Sequence, residues 1–221
     1  MKILFFFVGA CLGSMLNVIC WRSLNDENYL TGRSHCEACG RKLSFHEMIP
    51  VISYLLQKGR CRTCGSRIDQ LYPFTEMVCG LVTCLFMTGE KQLLLPFTFV
   101  MILISLFDRE RMEFPEILLV FLLVTGVPML RVENMTENVI GTLFLSVVFF
   151  LLRKWRGEGD RIIFLIICLY NGLMFTARVM FMASVMGMFY YLCKKERCLK
   201  RKVPFCPFIT AGFIVSVLIW K

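Results

Sequence analysis

Charge is scarce in this chain: Asp, Glu, Lys and Arg make up 19% of the 221 residues, 57% are hydrophobic, and the mean hydropathy is +0.66. So little polar surface excludes a soluble domain of this size and predicts a membrane protein. An A-x-A-like cleavage site is missing before Trp21-Arg22, so the first apolar run reads as a retained helix rather than a signal peptide. Acids are nearly absent from the interior of the apolar runs, which argues against a proton-linked transporter, and no internal repeat relates those runs as it does in many carriers. Nor is there a glycine-rich cofactor fingerprint.

What is present is a series of apolar runs, cut at Ile3 to Trp21, Leu71 to Thr88, Gln92 to Phe107, Phe114 to Leu130, Asn138 to Leu152, Ile162 to Ala177, Val179 to Leu192 and Val203 to Trp220. Most approach the roughly 20 residues that cross a bilayer. Runs six and seven are divided at Arg178; joined, they would form a helix of about 45 Å against a hydrocarbon core of about 30 Å. The chain therefore reads as an all-α polytopic membrane protein with about eight transmembrane helices. Residues 1–21 form the first helix, 22–70 a cytoplasmic four-cysteine loop, and 71–221 a transmembrane catalytic bundle.

Basic residues are enriched in short cytoplasmic loops because they resist translocation. With eight spans, one side carries the Lys and Arg of Arg22 to Arg67, Arg109 and Arg111, Arg153, Lys154, Arg156 and Arg161, and Lys194 to Lys202, which is 20 of the 25. The other side receives only Lys2, Lys91, Arg131, Arg178 and Lys221. Both termini are expected outside. The net charge of +9 then follows from topology and anionic headgroups, with no nucleic acid needed. On the first helix, Gly13, Ser14 and Asn17 share a face. Small side chains there allow close packing, and Asn17 either bonds a neighbouring helix or faces an active cavity.

Four of the twelve cysteines are arranged unlike the rest. Cys36-x-x-Cys39-Gly40-Arg41-Lys42-Leu43 is echoed by Cys61-x-x-Cys64-Gly65-Ser66-Arg67-Ile68 within the only long polar loop. Two such turns, each with a Gly to relieve crowding beside the second Cys, predict knuckles that aim four thiolates at one structural zinc. The metal would supply folding energy that so small a loop cannot gather from its core. The pairs could instead act as redox dithiols, but the charge pattern puts this loop in the reducing cytoplasm. The other eight read as small apolar packing residues.

Two acids stand at helix boundaries on the same predicted face: Asp108 in S-L-F-D-R-E-R and Asp160 in G-E-G-D-R-I-I. If their helices pack together, the carboxyls can share a proton, one activating water while the other protonates a leaving amine. Gly157 and Gly159 let the backbone approach a partner and leave room for a substrate strand. The competing reading is structural: Asp160 caps its helix, and Asp108 pairs with Arg109 or Arg111.

In chain order these residues resemble the prepilin peptidases, or type IV leader peptidases, membrane aspartic proteases with a G-x-G-D motif. The likeness rests on Gly13-Ser14-Met15-Leu16-Asn17-Val18 with Arg22, on Gly32-Arg33-Ser34-x-Cys36-x-x-Cys39-Gly40, and on Ile49-Pro50-Val51-Ile52-Ser53-Tyr54. It continues through Gly59-Arg60-Cys61-x-x-Cys64, Tyr72-Pro73-x-x-Glu76, Asp108 with Pro115, Gly157-x-Gly159-Asp160 and Pro204-Phe205-Cys206-Pro207-Phe208. Glu116, Ile162, Cys168 and Cys206 depart from the family pattern, Cys206 standing where a Gly is usual.

The resemblance implies Asp108 and Asp160 as catalytic residues in a bacterial cytoplasmic (inner) membrane enzyme. Its partners would be the lipid bilayer and a prepilin or pseudopilin with a basic leader and an apolar helix, cleaved at the cytoplasmic face. Glu158 and Glu116 would meet basic leader residues or remain solvated loop acids. N-methylation of the new terminus from S-adenosylmethionine is implied by the resemblance alone. The alternatives are a thiol oxidoreductase using the CxxC pairs and a proton-linked transporter.

Overall fold

A computed structural model describes residues 1–28, 32–87, 90–130, 132–152, 157–193 and 203–220. Outside the described residues lie Arg131, Arg153, Lys154, Arg156, Lys194 to Lys202 with Cys198, and Lys221, on which much of the charge-based topology rests.

The chain is helical, with two isolated β-bridges and no strand among the described residues. Its α-helices are α1 (Lys2–Leu24), the short α2 (Ile52–Leu56), α3 (Leu71–Phe86), α4 (Leu95–Arg111), α5 (Ile117–Gly126), α6 (Met135–Leu151), α7 (Glu158–Asn171), α8 (Leu173–Cys193) and α9 (Cys206–Trp220). Each apolar run of the sequence contributes to one principal α-helix, except that run six is shared between α7 and α8. Three stretches, Lys2–Leu24, Lys91–Arg111 and Leu173–Cys193, are long and apolar enough to cross a membrane by length and composition; the other apolar helices are shorter.

The division between runs six and seven differs from the expectation. The break falls at Gly172, with φ +84° and ψ 168°, a backbone region open essentially to Gly alone. Arg178 is an exposed residue inside α8. A charge on a helix face does not stop a helix, whereas a Gly free to adopt positive φ does.

Contacts group the chain into two compact units, Met1–Leu95 and Pro96–Lys221. In the first, α1 packs along α3 through small residues. A Cβ at Gly13 would lie 2.9 Å from Cys79 Cβ, and one at Gly80 would lie 2.8 Å from the Phe6 ring. Such close approach is how helices gain packing energy where lipid offers no hydrophobic drive. Helix α3 begins where Asp69 accepts the Leu71 N–H at 2.9 Å, with Pro73 in the first turn, where a missing N–H costs nothing.

In the second unit the core is aromatic. Phe97 and Phe213 lie 5.3 Å apart between ring centroids and Phe175 meets Phe213 edge-on at 5.7 Å, a geometry the ring quadrupoles favour. Helix α9 is tied to α4 by the Ser105 and Thr210 hydroxyls, 2.6 Å apart, and by Thr210 donating to the Met101 carbonyl at 3.1 Å. A Cβ at Gly212 would lie 2.9 Å from the Val179 carbonyl oxygen, so α9 also presses on α8.

Candidate active site and metal centre

Within the first unit the repeated cysteine sequence folds twice into the same turn. Gly40 N–H donates to the Cys36 carbonyl at 2.8 Å and Cys36 N–H to Arg41 at 2.9 Å. In the second copy Gly65 donates to Cys61 at 3.0 Å and Cys61 to Ser66 at 2.9 Å. Bridges His35–Lys42 and Arg60–Arg67 close both turns. Gly40 and Gly65 hold φ of +68° and +70°, and open space lies where a Cβ would stand. The Gly requirement is therefore conformational, not relief of crowding beside the second Cys.

Sγ atoms of Cys36, Cys39, Cys61 and Cys64 all lie within 4.8 Å of one another, with Cys36 and Cys64 at 3.9 Å. Four thiolates around zinc at about 2.3 Å would be separated by about 3.8 Å, so the donor set fits such an ion. The turn amides favour the thiolate at Cys61 and Cys36, while at Cys39 the Arg41 amide is outweighed by burial and the neighbouring Cys36 and Cys64 thiols, which push it up to about 11. N–H groups of Cys64 and Thr63 pull the Cys61 thiol down to about 6. At Cys36, burial pushes the thiol up, but the amides of Cys39 and Ala38 outweigh it and leave it below the usual range. Glu47 braces the first turn: its carboxylate accepts from Arg41 at 2.6 Å and from the Ser44 N–H at 2.9 Å. Arg41 first, then the Ser44 amide, hold Glu47 down at about 2.

The second unit brings the two aspartates to one residue. Asp108 is buried near the end of α4, and Oδ2 accepts the backbone N–H of Cys206 at 3.0 Å. That N–H opens α9, where the helix's first amides lack internal partners and its dipole favours an anion. Asp160, half-buried in the first turn of α7, accepts from the Cys206 thiol at 3.2 Å through Oδ1. Cys206 thus bridges both carboxyls, one by its backbone and one by its side chain.

Both glycines of G-x-G-D are explained by space. A Cβ on Gly157 would sit 2.5 Å from Asp160 Oδ2, and one on Gly159 would sit 2.5 Å from the Phe114 ring. Neither has positive φ. Glu158 is 87% exposed in its side chain and pairs with Arg161 at 3.4 Å; Glu116 is an exposed residue at the start of α5. Asn17 lies in the first unit, where Nδ2 donates to the Tyr72 carbonyl at 3.3 Å.

Reasoning from sequence noticed Cys206 only as a replaced Gly, and missed Phe114 and the Glu47 brace. The Cys206 departure was a usable signal, because a thiol beside an expected catalytic motif has a donor that Gly lacks. No pattern in the sequence marks Phe114.

Apolar helices, with two acids that both bond Cys206, are compatible with a membrane-embedded peptidase, and the comparisons with known proteins show that class. The bacterial peptidase A24 N-terminal domain matches residues 7–89, and the type IV leader peptidase family matches residues 95–192. The chain is 31% identical over 240 residues to the prepilin leader peptidase/N-methyltransferase of Bacillus subtilis, covering 99% of this chain and 94% of that protein. It is 25% identical to the protein so named in Vibrio cholerae, covering 96% and 94%. It is also 25% identical to a type 4 prepilin-like proteins leader peptide-processing enzyme of Escherichia coli, covering 95% and 90%. No solved structure matches. The chain belongs to the prepilin leader peptidase/N-methyltransferase family.

Proposed function

We propose that this chain is a membrane aspartic endopeptidase that removes the leader of type IV prepilins or pseudopilins, with Asp108 and Asp160 as its catalytic pair. The observation that carries this reading is the meeting of both carboxyls at Cys206. One carboxylate takes a proton from water as the water oxygen attacks the scissile carbonyl. The other carboxyl, protonated, polarises that carbonyl and then gives its proton to the leaving amine as the C–N bond breaks. Low dielectric at the end of the bundle strengthens both interactions.

The four-cysteine loop holds a structural zinc in this reading, because four protein ligands leave no open coordination position. A cluster in which all four thiols converge favours a metal over two separate redox dithiols. Eight helices crossing the inner membrane, with both termini outside, put the loop and both aspartates on the cytoplasmic side, where a basic leader remains. The apolar helix that follows the leader lies in the bilayer. S-adenosylmethionine, when bound, would supply a methyl group for the new N-terminal amine, as the names of the relatives imply. The test is purified protein in lipid nanodiscs with a prepilin, followed by mass spectrometry of the product. Loss of the leader and gain of one methyl group are expected; an intact leader would overturn the peptidase reading.

Two substitutions probe the aspartate geometry. Gly157→Ala places a Cβ against Asp160 Oδ2 and displaces that carboxylate. Leader cleavage is expected to fall by about 10²-fold with little change in melting temperature, because Gly157 lies outside the body of α7. Gly159→Ala instead presses on Phe114 and is expected to cost about 1–3 kcal/mol of stability, read as a lower melting temperature. At Cys206, Gly keeps the N–H to Asp108 and removes the thiol from Asp160. Cleavage should slow by roughly fivefold, the worth of about 1 kcal/mol for one hydrogen bond. Cys206→Ser, which restores a donor, should recover it; equal loss in both variants would deny the thiol this role.

A further inference from the structure

One segment of the cysteine loop in the first unit turns its apolar side chains outward. Phe45 is 76% exposed, Leu55 67% and Leu56 69%, and Ile49 and Ile52 are exposed as well. They recur three or four residues apart through the 3₁₀ turn Phe45–Met48 and α2, the spacing of a single helix face. The side chains with hydroxyls and an amide, Ser53, Tyr54 and Gln57, turn the other way, into the cavity against α1. A loop packed for water would bury the first set and expose the second.

Neighbouring helices set the level of this segment. Asn17 of α1, its Oδ1 unpaired, meets Tyr72 in the first turn of α3, and a Cβ on Gly13 would lie 3.1 Å from Glu76 Cα one turn further on. Glu76 accepts the Val51 N–H at 2.7 Å and holds that β-branched residue at φ +62°, a conformation it rarely adopts. The start of α2 therefore lies close to the level of Gly13, eight residues short of Trp21, which is about 12 Å along a helix. Trp21 ends the first apolar run, where aromatic rings mark the boundary between bilayer and water. Charge surrounds the segment with one sign. Residues 33–67 carry seven Lys and Arg against two acids, Glu37 and Glu47, and Glu47 is paired with Arg41. Lys42, Lys58 and Arg60 are exposed on either side of it in the sequence, and the Arg33 guanidinium lies over the Phe45 ring, 5.4 Å from its centroid.

We propose that Phe45, Ile49, Ile52, Leu55 and Leu56 anchor the cysteine loop in the adjoining lipid leaflet. Their side chains lie among the acyl chains, and Arg33, Lys58 and Arg60 reach the phosphates of anionic headgroups. The proposal rests on the membrane reading above. Long basic side chains lay their stems along apolar surface and lift the charge to the headgroups, and amphipathic segments with such a basic border lie in the plane of the interface. A second copy of the chain fits this face less well, because two like-charged borders would meet. Seated so, α2 separates the cavity behind it from lipid.

The test uses full-length wild-type protein in phosphatidylglycerol nanodiscs doped with a lipid that carries a diazirine on its acyl chain. After photolysis, trypsin cuts behind Lys42 and Lys58 and releases the segment as one peptide, residues 43–58, for mass spectrometry. Lipid adducts on this peptide, as on α1, are expected. Adducts on α1 with none on 43–58 overturn the anchor and leave the membrane reading standing; no adduct on any apolar helix removes both. Leu55→Asp combined with Leu56→Asp is expected to cut labelling of 43–58 roughly tenfold, since two leucines no longer gain from leaving water, while α1 is labelled as before. Undiminished labelling of 43–58 in that variant would overturn the proposal. Exchange of Leu56 for p-benzoylphenylalanine identifies the neighbour: a lipid adduct supports the anchor, and a cross-link to a second copy or to a prepilin refutes it.

Discussion

Asp160→Asn is expected to leave prepilin with its leader attached, and so is Asp108→Asn. In the proposed mechanism each removes a group that exchanges a proton, so leader cleavage is expected to fall by about 10²–10⁴-fold. The double variant should be no worse than either single one, because a pair that acts as a unit is lost with its first member. Stability separates the two roles of Asp108. Asn keeps an oxygen to accept the Cys206 N–H, so Asp108→Asn should melt like the wild type. Asp108→Ala strands that amide at the start of α9 and should cost about 1 kcal/mol more. Gel-shift processing of a co-expressed prepilin and thermal unfolding of the purified variants measure both. Full processing by either Asn variant would remove the aspartates from the mechanism.

Cys36→Ser is expected to empty the cysteine loop of its proposed zinc. Structural zinc contributes about 10–16 kcal/mol to the folding of zinc-finger peptides. Residues 32–70 include only short helical segments, with little core to replace it. Zinc content of the purified protein should drop from stoichiometric to near zero, and the loop should become open to added protease, while α1 and α3 remain helical. Chelation of the wild type should have the same effect. A metal-free wild type with a protease-resistant loop would refute the knuckles.

Much of the helical architecture was legible because apolar runs are interrupted wherever the backbone must leave the helix. The boundary at Gly172 was misplaced at Arg178 because a charge is the louder feature in a run of apolar letters, although backbone geometry decides the break. The paired knuckles were legible down to the repeat, since each turn is built from contiguous residues. Their Gly was assigned the wrong reason, because φ is invisible in a sequence. Juxtaposition across distant segments was not legible. That Cys206 touches both Asp108 and Asp160, that Phe114 covers Gly159, and that Glu76 holds Val51 all depend on how helices pack, and no local pattern encodes them. Asn17 was noticed as polar on a helix face. Its unpaired Oδ1 emerged only with the fold.

The bond from Asp108 to the first amide of α9 bears on how this protein drifts over generations. A chain that lost its substrate would feel no further selection for chemistry, yet discarding Asp108 would still loosen α9. Asp160, which among the described residues accepts the weaker Cys206 thiol hydrogen, has no comparable hold. An inactive descendant is thus expected to shed Asp160 first and to carry Asp108 as a relic, so an aspartate at position 108 of a related chain reports a helix cap before it reports a reaction.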